Sequence, residues 1–118
     1  MDFKTTLNEL VSSVDGAIGA GLVGLDGLVI DQSSSKSEFD INVAGAEYAT
    51  IVKNARKASE GFGAGKTSEI LISTEKATIV LMMVGSEYFC ALAIGLDGNI
   101  GRGRLELKKI IPKIEKEF

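Results

Sequence analysis

Apolar residues recur with two different periods along this chain, and the order of those periods predicts its elements. The first segment has a helical stripe over about residues 3–14, made of Phe3, Leu7, Leu10, Val11 and Val14. Asp2 precedes the stripe and is a suitable cap for its first amides. Two apolar runs then flank Asp26-Gly27, a pair that favours a tight hairpin turn. The pattern therefore predicts a helix followed by a β-hairpin.

The first strand of that hairpin is short of side chains on one face. Ala17, Gly19 and Gly21 alternate onto this face. Glycine weakens a strand unless another part of the chain must approach closely, so we expect a helix to lie against these residues.

A second helix follows the polar stretch QSSSKSE, and Asp40 is its predicted cap. Its predicted sheet-facing residues are Ala44, Tyr48, Ile51, Val52, Ala55 and Ala58. Its predicted outward residues are Asn42, Ala46, Ala49, Thr50, Lys53 and Lys57. The first four of these are small or short, whereas a surface helix usually carries longer charged residues. We therefore expect the outward face to be packed against something.

Three strands are predicted over residues 69–73, 77–84 and 87–94, joined by tight turns. The last two are apolar on both faces, so helices should cover both sides of the sheet. The buried stripe of a closing helix follows, made of Leu107, Ile110, Ile111 and Ile114 and extended by Phe118. Pro112 predicts a kink in this helix. The whole pattern predicts one α+β domain over residues 1–118, of order αββαβββα, with a five-stranded antiparallel sheet and helices on both faces.

The composition argues against several classes of partner. A net charge of -3 does not provide the basic field that phosphate backbones require, so no nucleic acid partner is expected. The longest apolar stretches are strand-length, far below the roughly 20 residues of a membrane helix, so no membrane insertion is expected. The single cysteine, Cys90, and an N-terminal segment unlike a signal peptide indicate a cytoplasmic protein.

Two glycine-rich segments match phosphate-binding loops in their letters but not in their context. Residues 19–24 read GAGLVG, yet they lie in a strand that turns into a second strand, whereas a dinucleotide site needs a strand-to-helix turn. Residues 61–67 read GFGAGKT, but they leave a helix and enter a strand. The chain has no histidine, and Asp26, which could pair with Asp31 in acid–base catalysis, is explained by its turn. We therefore predict that the protein is not an enzyme and that it has no catalytic residue, no cofactor and no metal site.

Lys53, Arg56 and Lys57 form a basic group on the second helix. One interpretation is a solvated helix face, because isolated surface charges are common and contribute little. The other is a partner-binding surface, because these residues border the small positions Ala46 and Ala49. The sequence leaves both interpretations open.

The order of the elements resembles that of the roadblock (dynein light chain) family, in its bacterial and archaeal MglB-like branch. The segments that carry the resemblance are GAGLVGLDGLVID, the pair ILIST and ATIVLMMV, and the ending LDGNIGRGRLELKKIIPKI. It covers essentially the whole chain and implies a roadblock, profilin-like fold, with dimerisation through the second helix and the strand after it. That expectation coincides with the packed outward face, so the candidate dimer interface is Asn42, Ala46, Ala49, Thr50 and Lys53.

The resemblance also implies a function, namely a homodimer that binds a small Ras-like GTPase. Lys53, Arg56 and Lys57 are the candidate contacts for this partner. Some family members raise the hydrolysis rate of the GTPase and others are scaffolds or motor adaptors, and no residue carries over as catalytic. The alternative is a small-molecule sensor of the PAS or GAF kind, which needs a pocket between sheet and helices. The small residues of the first strand favour close packing over such a cavity.

Overall fold

The computed structural model describes residues 1–36 and 39–118. Its elements are α1 (Phe3–Ser13), β1 (Ala17–Gly24), β2 (Val29–Ser34), α2 (Ile41–Phe62), β3 (Glu69–Ser73), β4 (Ala77–Val84), β5 (Tyr88–Gly95) and α3 (Ile100–Glu115). The strands form one antiparallel sheet in the order β2-β1-β5-β4-β3. The predicted element order and sheet are confirmed. Two residues of the predicted polar stretch, Ser37 and Glu38, lie outside the described residues.

Asp2 begins α1, as the sequence predicts. Its carboxylate accepts hydrogen bonds from the Lys4 amide at 3.0 Å and the Thr5 hydroxyl at 2.7 Å. These bonds favour the ionised form, so the Thr5 hydroxyl above all holds the pKa of Asp2 below its usual value. The amides at the start of α1 thus have the acceptor that a free helix end requires.

The core has two layers, one on each face of the sheet. The layer under α1 and α3 includes Leu7, Leu10, Leu22, Leu92, Leu107 and Ile114. The layer under α2 includes Val23, Ile41, Val52, Leu81 and Phe89. Both faces of β4 and β5 are therefore covered, which accounts for the apolar character of these strands throughout.

The two central glycines of β1 make room for the start of α2. A Cβ at Gly19 would overlap the Phe39 ring, and one at Gly21 would lie 3.0 Å from the Ile41 side chain. Any larger residue would push α2 off the sheet. The predicted close approach is confirmed for Gly19 and Gly21, whereas Ala17 packs against the layer under α1 and α3, because the strand register shifts between Ala17 and Gly19.

The hairpin turn between β1 and β2 depends on Asp26 and Gly27, although each has a different role. Gly27 has a φ of 91°, in the region that favours glycine. The Asp26 carboxylate accepts the Leu28 amide at 3.1 Å, an arrangement typical of aspartate in turns. The predicted turn is confirmed.

α3 begins at an Asn99 cap, whose side chain accepts the Arg102 amide at 2.9 Å. The helix continues through Pro112 to Glu115. Phe118 lies beyond the helix and stacks on Tyr88, with ring centroids 3.9 Å apart. None of the helices in residues 1–36 and 39–118 combines the length and the apolar character needed to cross a membrane.

Candidate interaction surface

Of the described helices, α2 alone covers its face of the sheet. Asp40 caps its start by accepting the Asn42 amide at 3.0 Å. The helix ends at Phe62. Gly63 follows with a φ of 87°, and its amide donates a hydrogen bond to the Glu60 carbonyl in the last helical turn. This geometry satisfies the final carbonyls and stops the helix. α2 therefore has a capped start and a defined end, and it runs from Ile41 to Phe62.

The side of α2 that faces the sheet differs from the prediction at three residues, Ala49, Ile51 and Ala58, and Ala58, predicted to face the sheet, is exposed. The fully buried residues of the helix are Ile41, Gly45, Ala49 and Val52. Ala49, predicted to face outward, is only 1% exposed, and Ile51, predicted to face the sheet, is 40% exposed. At about 100° per residue, Ala49 lies within about 40° of Gly45. The outward placement of Ala49 is wrong, so its side chain cannot reach a second copy.

The other members of the candidate dimer interface are exposed, namely Asn42, Ala46, Thr50 and Lys53. Part of this side lies near the β1–β2 hairpin, because a Cβ at Gly27 would lie 3.3 Å from the Ala46 methyl. A Cβ at Gly45 would likewise lie 3.1 Å from Val29. Ala46, one of the small residues that suggested an intermolecular contact, thus lies close to the hairpin of its own chain.

The exposed apolar residues of α2 lie on another side of the helix. Val43 is 80% exposed, Ile51 40% and Phe62 87%, and these three fall within an arc of about 100°. Tyr48, next to this arc, packs on the same apolar cluster as Ile70 and Ile72 of β3. Since Ala46, which lies near the hairpin, is about 110° round the helix from the centre of this arc, the apolar side turns away from the hairpin. The sequence prediction missed it, although an outward Val43 and Phe62 were a readable signal.

β3 is an edge strand whose outward backbone groups are free. Thr74 donates to Ala77 at 2.8 Å and Met83 donates to Ser68 at 3.0 Å. Since bonded positions alternate along an antiparallel pair, the amides and carbonyls of Glu69, Leu71 and Ser73 point away from β4. No hydrogen bond to them is formed within residues 1–36 and 39–118. Leu71 lies at the centre of this edge strand and is 46% exposed.

The three basic residues predicted to contact a partner are brought together. Lys53, Arg56 and Lys57 line one open hollow of about 540 Å³ with Glu60 and Gly61. The Arg56 guanidinium is held in place because its Nη1 donates to the Ser86 carbonyl at 2.8 Å. Lys53 and Lys57 are exposed, and Arg56 is half-buried. These charges therefore lie close together on an exposed side of α2.

The remaining motifs are accounted for by the fold. Residues 19–24 lie inside β1, and residues 61–67 connect α2 to β3, so neither has a phosphate loop's strand-to-helix order. Cys90 is fully buried, and burial raises the pKa of its thiol to about 12. No cluster of three or more potential metal ligands occurs in the part of the chain that the structure describes.

The architecture, with α2 on one face of an αββαβββα sheet and two helices on the other, is that of a roadblock-type module. The family model of the Roadblock/LC7 domain matches residues 4–93, and the chain belongs to this family. No curated protein sequence matches it.

Three solved structures illustrate the relationship. MglC from Myxococcus xanthus is 36% identical, with 100% of both chains covered and a TM-score of 0.71. MglB from Myxococcus xanthus is 18% identical, with 100% of this chain and 95% of that chain covered and a TM-score of 0.90. The Roadblock/LC7 domain from Streptomyces avermitilis is 18% identical, with coverage of 99% and 98% and a TM-score of 0.89. These similarities confirm both the fold and the resemblance to the MglB-like branch.

Proposed function

We propose that the protein is a cytoplasmic homodimer that binds a small Ras-like GTPase and modulates its GTP hydrolysis. The observations that carry the proposal are the edge position of β3 and the exposed apolar residues of α2. Membership of the Roadblock/LC7 family supports it, since the family resemblance implies a dimeric platform for such GTPases.

The dimer would form by pairing β3 with its copy across a two-fold axis. Outward groups at Glu69, Leu71 and Ser73 allow full antiparallel overlap when Leu71 lies opposite its copy. Each directly opposed hydrogen-bonded pair exchanges two bonds, so the join forms about six. This pairing turns two five-stranded sheets into one continuous sheet.

The helical part of the interface is proposed on the β3 side of α2. Pairing through β3 brings this side toward the second copy, and Val43, Ile51 and Phe62 are the exposed apolar residues there. Asn42, Ala46, Thr50 and Lys53 lie farther round the helix and border the contact. Burial of these apolar residues would stabilise association, because removing apolar surface from water is favourable.

The basic hollow lined by Lys53, Arg56 and Lys57 is the proposed contact for the GTPase. The two-fold axis repeats the hollow on both copies of α2, so the dimer presents two basic clusters. Such clusters steer an acidic partner and raise the association rate more than they raise affinity.

The binding test uses purified small GTPases from the source cell, each loaded with GDP or a non-hydrolysable GTP analogue, with association rates measured by biolayer interferometry. Lys53→Glu combined with Lys57→Glu should slow association about tenfold at low salt and much less at high salt. Lys113→Glu combined with Lys116→Glu, on the exposed side of α3, carries the same charge change and should leave the rate nearly unchanged.

Equal rates for the two double variants would show that the basic hollow is not the contact. A separate phosphate-release assay on the bound GTPase distinguishes a modulator of hydrolysis from a scaffold. Absence of binding by every candidate GTPase would overturn the proposal.

The small-molecule sensor finds no support in the described residues. Gly19 and Gly21, where such a pocket would need space, lie directly under Phe39 and Ile41. The sheet and α2 are closely packed there, as the sequence prediction required.

A further inference from the structure

Positive charge is concentrated on the last helix of the chain. Residues 100–116, which are α3 and its C-terminal cap, include six basic and two acidic residues and have a net charge of +4. The whole chain has a net charge of -3, so the rest of it carries -7. The molecule is therefore polarised, with its positive part on one helix of an acidic protein.

Five of these six basic residues are exposed and share one side of α3 with Leu105. At about 100° per residue they fall within an arc of about 140°, and Leu105 lies within about 10° of its centre. Leu105 is 50% exposed. The five residues extend about 21 Å along the helix, and they are Arg102, Lys108, Lys109, Lys113 and Lys116. The exposed side of α3 is thus a basic strip with an apolar residue at its middle.

Most of the charge on this strip is free to act on a partner. The half-buried Glu106 accepts hydrogen bonds from Arg102 at 2.8 Å and from Lys109 at 3.3 Å, so it offsets part of two charges. Within residues 1–36 and 39–118, the other three basic residues of the strip form no ion pair, and they are Lys108, Lys113 and Lys116. Both acidic residues of the helix, Glu106 and Glu115, lie outside the arc.

The residue types on the strip decide which anionic partner it suits. Four of its five charges are lysines, whose flexible ammonium groups adapt to a fluid layer of lipid headgroups. Interfaces with folded proteins are instead depleted in lysine and concentrate arginine and aromatic residues. An apolar residue such as Leu105 enters the boundary between headgroups and acyl chains in interfacial helices, whereas a nucleic acid backbone offers no apolar layer.

We propose that the exposed side of α3 binds the anionic surface of a membrane without crossing it. The basic residues of the strip lie among the headgroups, and Leu105 enters the layer beneath them. α2 covers the opposite face of the sheet, so its exposed side turns away from the membrane. The proposal goes beyond binding of a GTPase and does not require it.

The proposed dimer would double this surface. A two-fold axis through paired β3 strands is perpendicular to the sheet, so both copies of α3 lie on the same side of it. The Arg104 guanidinium binds the Glu69 carboxylate of β3, which places each α3 near the join. Two strips on one side bind a flat surface more tightly than one.

The test measures co-sedimentation of the purified protein with sucrose-loaded vesicles at low salt. Vesicles of equal parts phosphatidylserine and phosphatidylcholine should bind it about 100-fold more tightly than phosphatidylcholine alone. Lys113→Gln combined with Lys116→Gln should weaken binding to the anionic vesicles about tenfold. Lys53→Gln combined with Lys57→Gln makes the same charge change on α2 and should weaken it less than about twofold. Circular dichroism checks that both double variants are folded.

A fluorescent label tests which side of the molecule meets the membrane. Leu105→Cys labelled with the fluorophore NBD should shift its emission to the blue when anionic vesicles are added, because the label leaves water. Val43→Cys on α2, whose native side chain is 80% exposed, is the control and should show no shift. Cys90 is buried and should remain unlabelled.

Failure to bind the anionic vesicles, equal binding to both kinds of vesicle, or equal losses in the two double variants would overturn the proposal. A shift at Val43→Cys in place of Leu105→Cys would put α2 on the membrane and overturn it as well. A DNA duplex or polyglutamate that anionic vesicles cannot displace would assign the strip to a nucleic acid or an acidic protein. Because no GTPase is present, these outcomes are separate from failure of the proposed function.

Discussion

At the β2 edge of the sheet, side chains of the same molecule bind the outward backbone groups of Gln32, whereas at the β3 edge the outward groups have no partner among the described residues. On β2 the Ser35 amide donates to Ile18 at 2.8 Å, so the alternation of bonded positions directs the amide and carbonyl of Gln32 outward. The Asp31 carboxylate accepts that amide at 2.9 Å, and the Lys4 ammonium donates to that carbonyl. On β3 the outward groups of Leu71 have no such partner within residues 1–36 and 39–118.

The two edge strands also differ in polarity. β2 reads VIDQSS and is mostly polar, whereas β3 reads EILIS and is mostly apolar. The Gln32 side chain also binds both Asp40 and the Ile41 amide, at 3.1 Å and 3.0 Å, which ties β2 to the start of α2. Natural sheets block unwanted edge pairing with charged side chains. The comparison teaches that charged side chains cover part of one edge, while the outward backbone groups of the other edge have no such cover among the described residues.

Of the changes that test this difference, Leu71→Lys should have the largest effect, because it weakens the proposed dimer through β3. It removes two apolar side chains from the centre of the proposed join and places like charges opposite each other. The loss of about 2 to 3 kcal/mol corresponds to a dimer dissociation constant raised about 100-fold. Sedimentation equilibrium measures the constant. Ile30→Lys on β2, whose native side chain is 42% exposed against 46% for Leu71, is the matched control, and an equal effect of both would refute the asymmetry.

Leu71→Cys sharpens the comparison by testing register. Hydrogen-bonded opposed residues have Cα atoms about 5.5 Å apart, within the range of a disulfide, so mild oxidation should give a covalent dimer in high yield. Ile30→Cys should give little. Cys90 is buried and should not compete. Non-reducing electrophoresis distinguishes the two variants, and a monomeric Leu71→Cys protein after oxidation would rule out pairing about Leu71.

Removing the charges that close β2 should have a smaller effect. Lys4→Ala combined with Asp31→Ala frees the outward groups of Gln32, so β2 should gain weak self-association, with a dissociation constant on the order of 1 mM. Sedimentation velocity at increasing protein concentration would show species larger than those of wild type. Lys108→Ala combined with Glu9→Ala removes the same charges from exposed helical positions and should add no such species. Identical profiles for both double variants would mean that Lys4 and Asp31 do not protect the edge.

The smallest expected effect is a pH dependence of the stability that the hydrogen bond between Gln32 of β2 and Asp40, the cap of α2, contributes. The hydrogen bond from Gln32, followed by the Asn42 amide, holds the pKa of Asp40 below its usual value of 3.8. The unfolded chain therefore binds this proton more readily than the folded protein. Stability from ionised Asp40 is fully present above about pH 4 and is lost as pH falls through the lowered pKa.

Asp40→Asn is the matched variant for this test, because asparagine still caps a helix but does not titrate. Urea unfolding of wild type and Asp40→Asn should differ by a constant amount at neutral pH, and by progressively less below about pH 4. Asp2 titrates in both proteins and cancels in the comparison. A difference that does not change with pH would exclude this role for the Asp40 carboxylate.

Much of the fold follows from local pattern. Helical and strand periods placed the elements in the order that the structure shows, and Asp2 and Asp40 cap their helices as expected. The glycines of β1 indicated a close helix. A strand loses side-chain packing at each glycine, and this cost is offset where a neighbouring element packs into the space. Each of these signals is contained in a short stretch of chain, where spacing and backbone preference act directly.

The tertiary structure alone decided which side of α2 meets the sheet and which strands form its edges. The apolar residues of α2 span more than one side of the helix, and an alanine such as Ala49 suits either a sheet or a second helix, so periodicity could not assign it. Likewise, Lys4 reaches β2, and Arg56 reaches Ser86, only after folding brings distant segments together. The hydrophobicity of a residue indicates that its burial is favourable, but the packing of the whole chain determines which neighbour covers it.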